Sequence, residues 1–238
     1  MSGASNLAKQ LPKLDLLTPR ADGSGESVVV SPSLVTLSDP LGPAAEAIRA
    51  LRTHIQSQHL QEGRRGLAIC GVSAGHGCTF VASNLAVALS QIGVATLLID
   101  ANLREPGVDK LLPRASTLGG LRECLLKDHA PVSDFIDEDV LPNLSVLYAG
   151  AAAQNAQELL ARDRFEDVMN TCMRNFDATI IDTPPANASA DARRVSNVVG
   201  YSLVVARKHQ SLVGDIRTLV GQLQGDRAVV VGTVLNES

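Results

Sequence analysis

The segment Ile69-Cys70-Gly71-Val72-Ser73-Ala74-Gly75-His76-Gly77-Cys78-Thr79-Phe80 has the makings of a phosphate cradle. An apolar strand runs into a turn of Gly, Ser and Ala and then into a helix-forming stretch. Backbone N–H groups and the positive end of a helix dipole therefore converge on one point. In loops of this layout a Lys reaches the β- and γ-phosphates and the next hydroxyl binds Mg²⁺. Thr79 supplies the hydroxyl, but Cys78 stands where the Lys belongs. The pattern G-x-x-x-x-G-K-[ST] also fails at its first position, which is Val72. Two further apolar runs, Leu97-Leu98-Ile99-Asp100 and Thr179-Ile180-Ile181-Asp182, each end in a carboxylate. Beside such a loop an Asp of this kind holds Mg²⁺ directly or through water. Either Asp alone would read as a turn former or helix cap. Together, behind a glycine-rich strand-loop-helix, they point to a nucleotide site. Its phosphate side is Gly75, His76, Gly77, Cys78, Thr79 and Phe80, and its metal side is Thr79, Asp100 and Asp182.

These residues need a scaffold that brings several strand ends together, and the apolar pattern supplies one. Strands are expected at 67–71, 95–100, 144–148, 179–182, 202–206 and 228–235. Helices are expected at 44–60, 79–92, 118–127, 156–175, 190–199 and 211–223. Strands this apolar are buried on both faces, and intervening helices make right-handed βαβ crossovers. The fold class is α/β, a doubly wound, mostly parallel sheet with helices on both faces, whose ligands bind beyond the carboxyl ends of the strands. Residues 1–43, with five prolines among polar residues and one Val28-Val29-Val30 run, read as a tail or linker with at most one edge strand. Pro43 opens the first helix, and residues 44–238 form the domain.

The 238 residues are enough for one such domain, with 45% hydrophobic residues, no Trp and 3% aromatics, so Leu, Val, Ile and Ala must fill the core. A formal charge of −4 disfavours a polyanion partner, and no nucleic acid is expected. The four cysteines lack metal-ligand spacing and fit a reducing, cytoplasmic setting. No apolar run is long enough to span a bilayer, and the N-terminus has no signal-peptide core.

Taken together the motifs resemble the bacterial tyrosine kinases of capsular and exopolysaccharide synthesis, in the MinD/ParA-like branch of P-loop proteins. Residues 71–86 resemble their Walker A segment. Leu97 to Pro106, with Asp100-Ala101-Asn102-Leu103-Arg104, resembles Walker A′, and Asp177 to Pro185 resembles Walker B. Glu46, Arg49 and Arg52 match the E-x-x-R-x-x-R helix through which such kinases assemble, and at i, i+3, i+6 they share one side of a helix. Asn236 matches a final-strand Asn that faces the adenine in related folds. The resemblance implies ATP or ADP with Mg²⁺ as cofactors and Asp100 as the catalytic carboxylate of an active site. It further implies a homo-oligomer and a membrane-embedded polysaccharide chain-length regulator (co-polymerase) as partner. The chain would then be cytoplasmic and peripheral to the inner membrane through that partner.

The departures bear on one reaction. The Walker A Lys is Cys78, the second Asp of Walker A′ is Asn102, and the family's C-terminal tyrosine cluster has no counterpart, Tyr148 and Tyr201 being the only tyrosines. Losing one transition-state donor costs ~10²–10³ in rate. Weakened nucleotide binding with little kinase turnover is the expectation, which suits a regulatory or scaffolding protein. An active protein-tyrosine kinase and a MinD/ParA-like positioning ATPase are the alternatives, the latter disfavoured because Ser73 stands at that group's signature Lys. Arg104 or a protonated His76 could substitute as the cation, although His76 reads more simply as a solvent-facing loop residue. Cys78 is either a thiol activated by the helix N-terminus or a neutral replacement, and the second is expected.

Overall fold

The structure is a computed structural model, and it describes residues 31–237 apart from residue 115. The chain opens with a single turn α1 (Val35–Ser38) and then α2 (Pro43–Gln58), which starts on Pro43 as its fixed φ favours. There follow β1 (Gly66–Gly71), α3 (Cys78–Ser90), β2 (Thr96–Asp100), the short α4 (Val108–Leu111) and α5 (Leu121–Leu126). Next come β3 (Asp137–Leu141), β4 (Leu144–Leu147), α6 (Ala156–Ala161), α7 (Asp163–Asn175), β5 (Ala178–Asp182) and α8 (Asp191–Val199). The last elements are β6 (Tyr201–Arg207), α9 (Val213–Gly225) and β7 (Val229–Asn236).

The seven strands lie in the order β3-β4-β2-β5-β1-β6-β7, all parallel except β3, which runs antiparallel to β4. The doubly wound α/β fold expected from the sequence is therefore present. Alternation along each central strand sends successive side chains to opposite layers. Leu67, Ile69, Leu98 and Ile180 meet α3 through Val81, Leu85 and Leu89, with Ile55 of α2 alongside. Ala68, Cys70, Leu97, Ile99 and Ile181 meet α6, α7 and α8 through Leu160, Phe165, Met169 and Val195. Val204 carries α9 through Leu219 and Leu223.

Three expectations are corrected. Residues 31–43 are not all tail: Leu34 is fully buried against the α3 side of the sheet, and Asn84 of α3 donates to the Ser33 carbonyl. The Val28-Val29-Val30 run lies outside the described residues. The helix expected over 156–175 is two helices, because Arg162 is extended (ψ 148°) and its guanidinium is taken by Asp128 and the Leu125 carbonyl. The edge strand β3 was missed, since Asp137-Glu138-Asp139 has low strand propensity and joins β4 through a turn with Asn143 at φ 61°. Leu34→Ala should cost about 2–5 kcal/mol in denaturant unfolding, and an unchanged midpoint would remove Leu34 from the core.

Candidate functional site

The carboxyl ends of β1, β2 and β5 meet at one point, and the phosphate loop sits there. β1 stops at Gly71, and the turn closes through Gly75 and Gly77, at φ 78° and 91°, before α3 begins at Cys78. A Cβ at Gly77 would stand 2.2 Å from Asn236 Nδ2, so only glycine allows this close approach. The loop carbonyls are held by neighbouring segments. The Ala186 and Asn187 N–H groups donate to the Gly71 and Val72 carbonyls at 2.9 Å each. Arg207 Nη1 donates to the Gly75 carbonyl at 2.6 Å, and Asn236 Nδ2 donates to the His76 carbonyl at 3.1 Å. With these carbonyls occupied, the loop N–H groups other than that of Ser73, which meets His76 Nδ1 at 3.5 Å, are joined by first-turn donors of α3 that have no intrahelical acceptor.

Thr79, Asp100 and Asp182 lie together beside this loop. Asp100 and Asp182 are paired neighbours across β2 and β5. Thr79 Oγ1 donates to Asp182 Oδ2 at 2.6 Å, and Asp182 Oδ1 is buried with no hydrogen-bond partner. Asp100 accepts from the N–H groups of Asn102, Gly107 and Val108 at 2.9–3.0 Å. Burial pushes the Asp100 carboxyl up to about 6. Asp182 is pushed well up, by burial first and then by the charge of Asp100. Two buried carboxylates, one with an orphaned oxygen, beside a hydroxyl form a hard all-oxygen donor set that suits Mg²⁺.

The other named residues are distributed unevenly. His76 is not solvent-facing: it is 4% exposed, within 3.4 Å of Ser211 Oγ, and held below the usual imidazole range by burial and then by Arg207. A protonated His76 is accordingly a poor substitute cation. Cys78 is not an activated thiol, because burial and the Asp182 charge push it well up. Arg104 is held by Asp191 at 2.7 Å, and the Asn102 side chain caps its own turn through the Glu105 N–H. Phe80 leans into the α3 side of the core and so offers the loop its backbone rather than its ring. On α2, Glu46 and Arg49 pair at 2.8 Å on the surface, while Arg52 bends toward the Ala88 carbonyl of α3.

No family model matches the chain. Among solved structures it is similar to the kinase domain of the Escherichia coli tyrosine kinase ETK, at 31% identity and a TM-score of 0.78, over 85% of this chain and 79% of that one. The chain belongs to the bacterial tyrosine kinase family. A protein of Klebsiella pneumoniae described as a tyrosine-protein kinase in the cps region is 31% identical over 230 residues, which is 97% of this chain. The septum site-determining protein MinD of Pyrococcus horikoshii, solved with Mg-ADP, shares the fold at 21% identity and a TM-score of 0.63, over 72% of this chain and 70% of that one. The chain spans between 26% and 30% of the length of the longer curated relatives it matches.

Within this tyrosine kinase fold the sequence reading missed Arg207, Ser211 and Asn187, which surround the loop from β6 and from the turn after β5. Neither Arg207 nor Ser211 belongs to a local motif. The signal that could have found them was the end of β6, which the topology sets directly beside β1.

Proposed function

We propose that this chain is a regulatory or scaffolding member of the tyrosine kinase family in capsule or exopolysaccharide synthesis and export. It binds Mg-ADP or Mg-ATP weakly and turns over little of it. The observation that carries the reading is Cys78: a neutral, half-buried thiol in the place of the phosphate lysine, inside a loop otherwise built to hold phosphate. Gly75 to Phe80 would take the phosphates, and Thr79, Asp100 and Asp182 would hold Mg²⁺. When bound, the metal supplies neutralisation of phosphate-oxygen charge, which phosphoryl transfer requires throughout. Thr79 and the carboxylates retain that side of the chemistry, and the cation on the other side is changed. Asn236 lies close enough to the loop to border the base.

The partner we propose is a membrane-embedded polysaccharide chain-length regulator. The chain would lie on the cytoplasmic side and assemble with further copies of itself through α2, where Glu46 and Arg49 are presented on the surface. Among the described residues no helix is long and apolar enough to cross a membrane, in keeping with attachment through a partner.

Autophosphorylation is the test. Tyr148 is 3% exposed with its hydroxyl on the Leu112 carbonyl, and Tyr201 is packed against His59 and Arg64. Purified protein with Mg-ATP should show no phosphotyrosine by mass spectrometry and no ADP release above background. Robust turnover that Asp100→Ala abolishes would replace this reading with that of an active kinase.

A further inference from the structure

The loss of the lysine leaves a phosphate loop in need of positive charge, and the cations around the site are not equally available. Arg104 is committed to the buried Asp191, and Lys208 to Glu237 at 2.8 Å. Arg207 differs. It ends β6, the strand that flanks β1, and in the sheet it is register partner to Asn236. Its backbone N–H is fixed by Ser211 Oγ at 2.8 Å, so the side chain starts from a set position. The guanidinium reaches the loop itself, donating to the Gly75 carbonyl, and stands 3.6 Å from where a Cβ on Gly75 would be. No carboxylate pairs with it among the described residues, and the Gly75 carbonyl uses one donor of the five a guanidinium carries. Its charge is felt at the loop, since it helps hold the imidazole of His76 neutral.

We propose that Arg207 is the resident cation of this phosphate loop, standing in for the lysine that Cys78 replaces, and that it neutralises phosphate charge of a bound nucleoside di- or triphosphate. The inference rests on the nucleotide reading above and adds to it which residue supplies the charge. An arginine suits the task because it stays charged and can give one N–H to the loop while offering others to phosphate oxygens.

Isothermal titration of the full chain with Mg-ADP, and with adenosine as the uncharged comparison, tests it. Arg207→Ala should weaken Mg-ADP binding about tenfold to a hundredfold, the range for a hydrogen bond to a charged group, and leave adenosine unchanged. Arg207→Gln keeps a donor for the Gly75 carbonyl without the charge and should lose a similar factor. If Arg207→Ala melts early, Arg207→Gln decides. Cys78→Lys should gain more Mg-ADP affinity in either Arg207 variant than in the parent, a non-additivity that would be absent if Arg207 merely clamped the loop. Lys208→Ala should bind as the parent does. Binding that both Arg207 variants leave intact, or a gain from Cys78→Lys that is the same in the parent and in the variants, overturns the inference alone. A parent chain that binds no Mg-ADP at millimolar concentration overturns the nucleotide reading and the inference with it.

Discussion

Replacing Cys78 with Lys should raise affinity for Mg-ADP and Mg-ATP about tenfold to a hundredfold. The thiol now there is neutral at physiological pH and points back across the base of the loop, with Sγ 2.6 Å from where a Cβ on Gly71 would be. An ammonium group on the same backbone enters a loop whose carbonyls are already pinned by Arg207, Asn236 and the 186–187 turn. Little ordering is then required on binding, so the new charge appears as affinity rather than being spent on closing the loop. The Mg²⁺-side residues are unaltered, and turnover with a tyrosine-containing acceptor peptide should rise by ~10²–10³ over the parent, the usual worth of one transition-state donor. Titration and phosphotyrosine detection on the same preparation check both effects. An unchanged dissociation constant would mean that the loop does not face a phosphate.

Asp182→Asn should stabilise the metal-free protein at neutral pH and abolish its response to Mg²⁺. The sign follows from burial. In the unfolded chain Asp100 ionises near 3.8, whereas in the native state it holds its proton up to about 6. Between those values the folded protein binds more protons, so stability present at low pH is lost as pH rises through that window, by ~3 kcal/mol for this group. Asp182 contributes with the same sign at higher pH, since burial and Asp100 both oppose its ionisation. Exposed carboxyls held low by arginine or lysine, such as Asp226, act in the opposite sense, so the difference between parent and variant is the informative quantity. Melting curves from pH 4.5 to 8 should show the variant gaining on the parent as pH rises. At pH 7.5, Mg²⁺ should raise the parent's midpoint and leave the variant's in place. A variant that melts below the parent at pH 7.5 would contradict the cost assigned to the buried pair.

The fold was legible because its central strands are apolar without interruption, and the longer helices between them, such as α7 and α9, are long enough to show a period. Where the pattern was weak, the reading failed for identifiable reasons. β3 is acidic and exposed on one side, so neither its composition nor its alternation signals a strand. Arg162 is a good helix former whose backbone is extended because its side chain is captured by Asp128, a residue 34 positions away. At the site, Thr79, Asp100 and Asp182 lie within recognisable segments and could be named in advance. The burial of His76, the capture of Arg104 by Asp191 and the approach of Arg207 to Gly75 depend on pairings across the sheet that no local stretch records.

The anchoring of the glycine-rich loop by distant residues has a consequence for the order in which the molecule is made. The carbonyls of Gly71, Val72, Gly75 and His76 are held by residues 186, 187, 207 and 236, the last separated from its partner by 160 positions. As the chain leaves the ribosome, β1 and α3 emerge early while their fasteners are still to be synthesised. Contacts of such long sequence separation form late, after the loop-closure entropy has been met by the strands between them. The nascent domain therefore passes through a stage with its glycine-rich turn unfastened and poorly shaped for phosphate. On the nucleotide reading proposed above, the loop should gain its full shape for phosphate only once the final strand has taken its place beside β6.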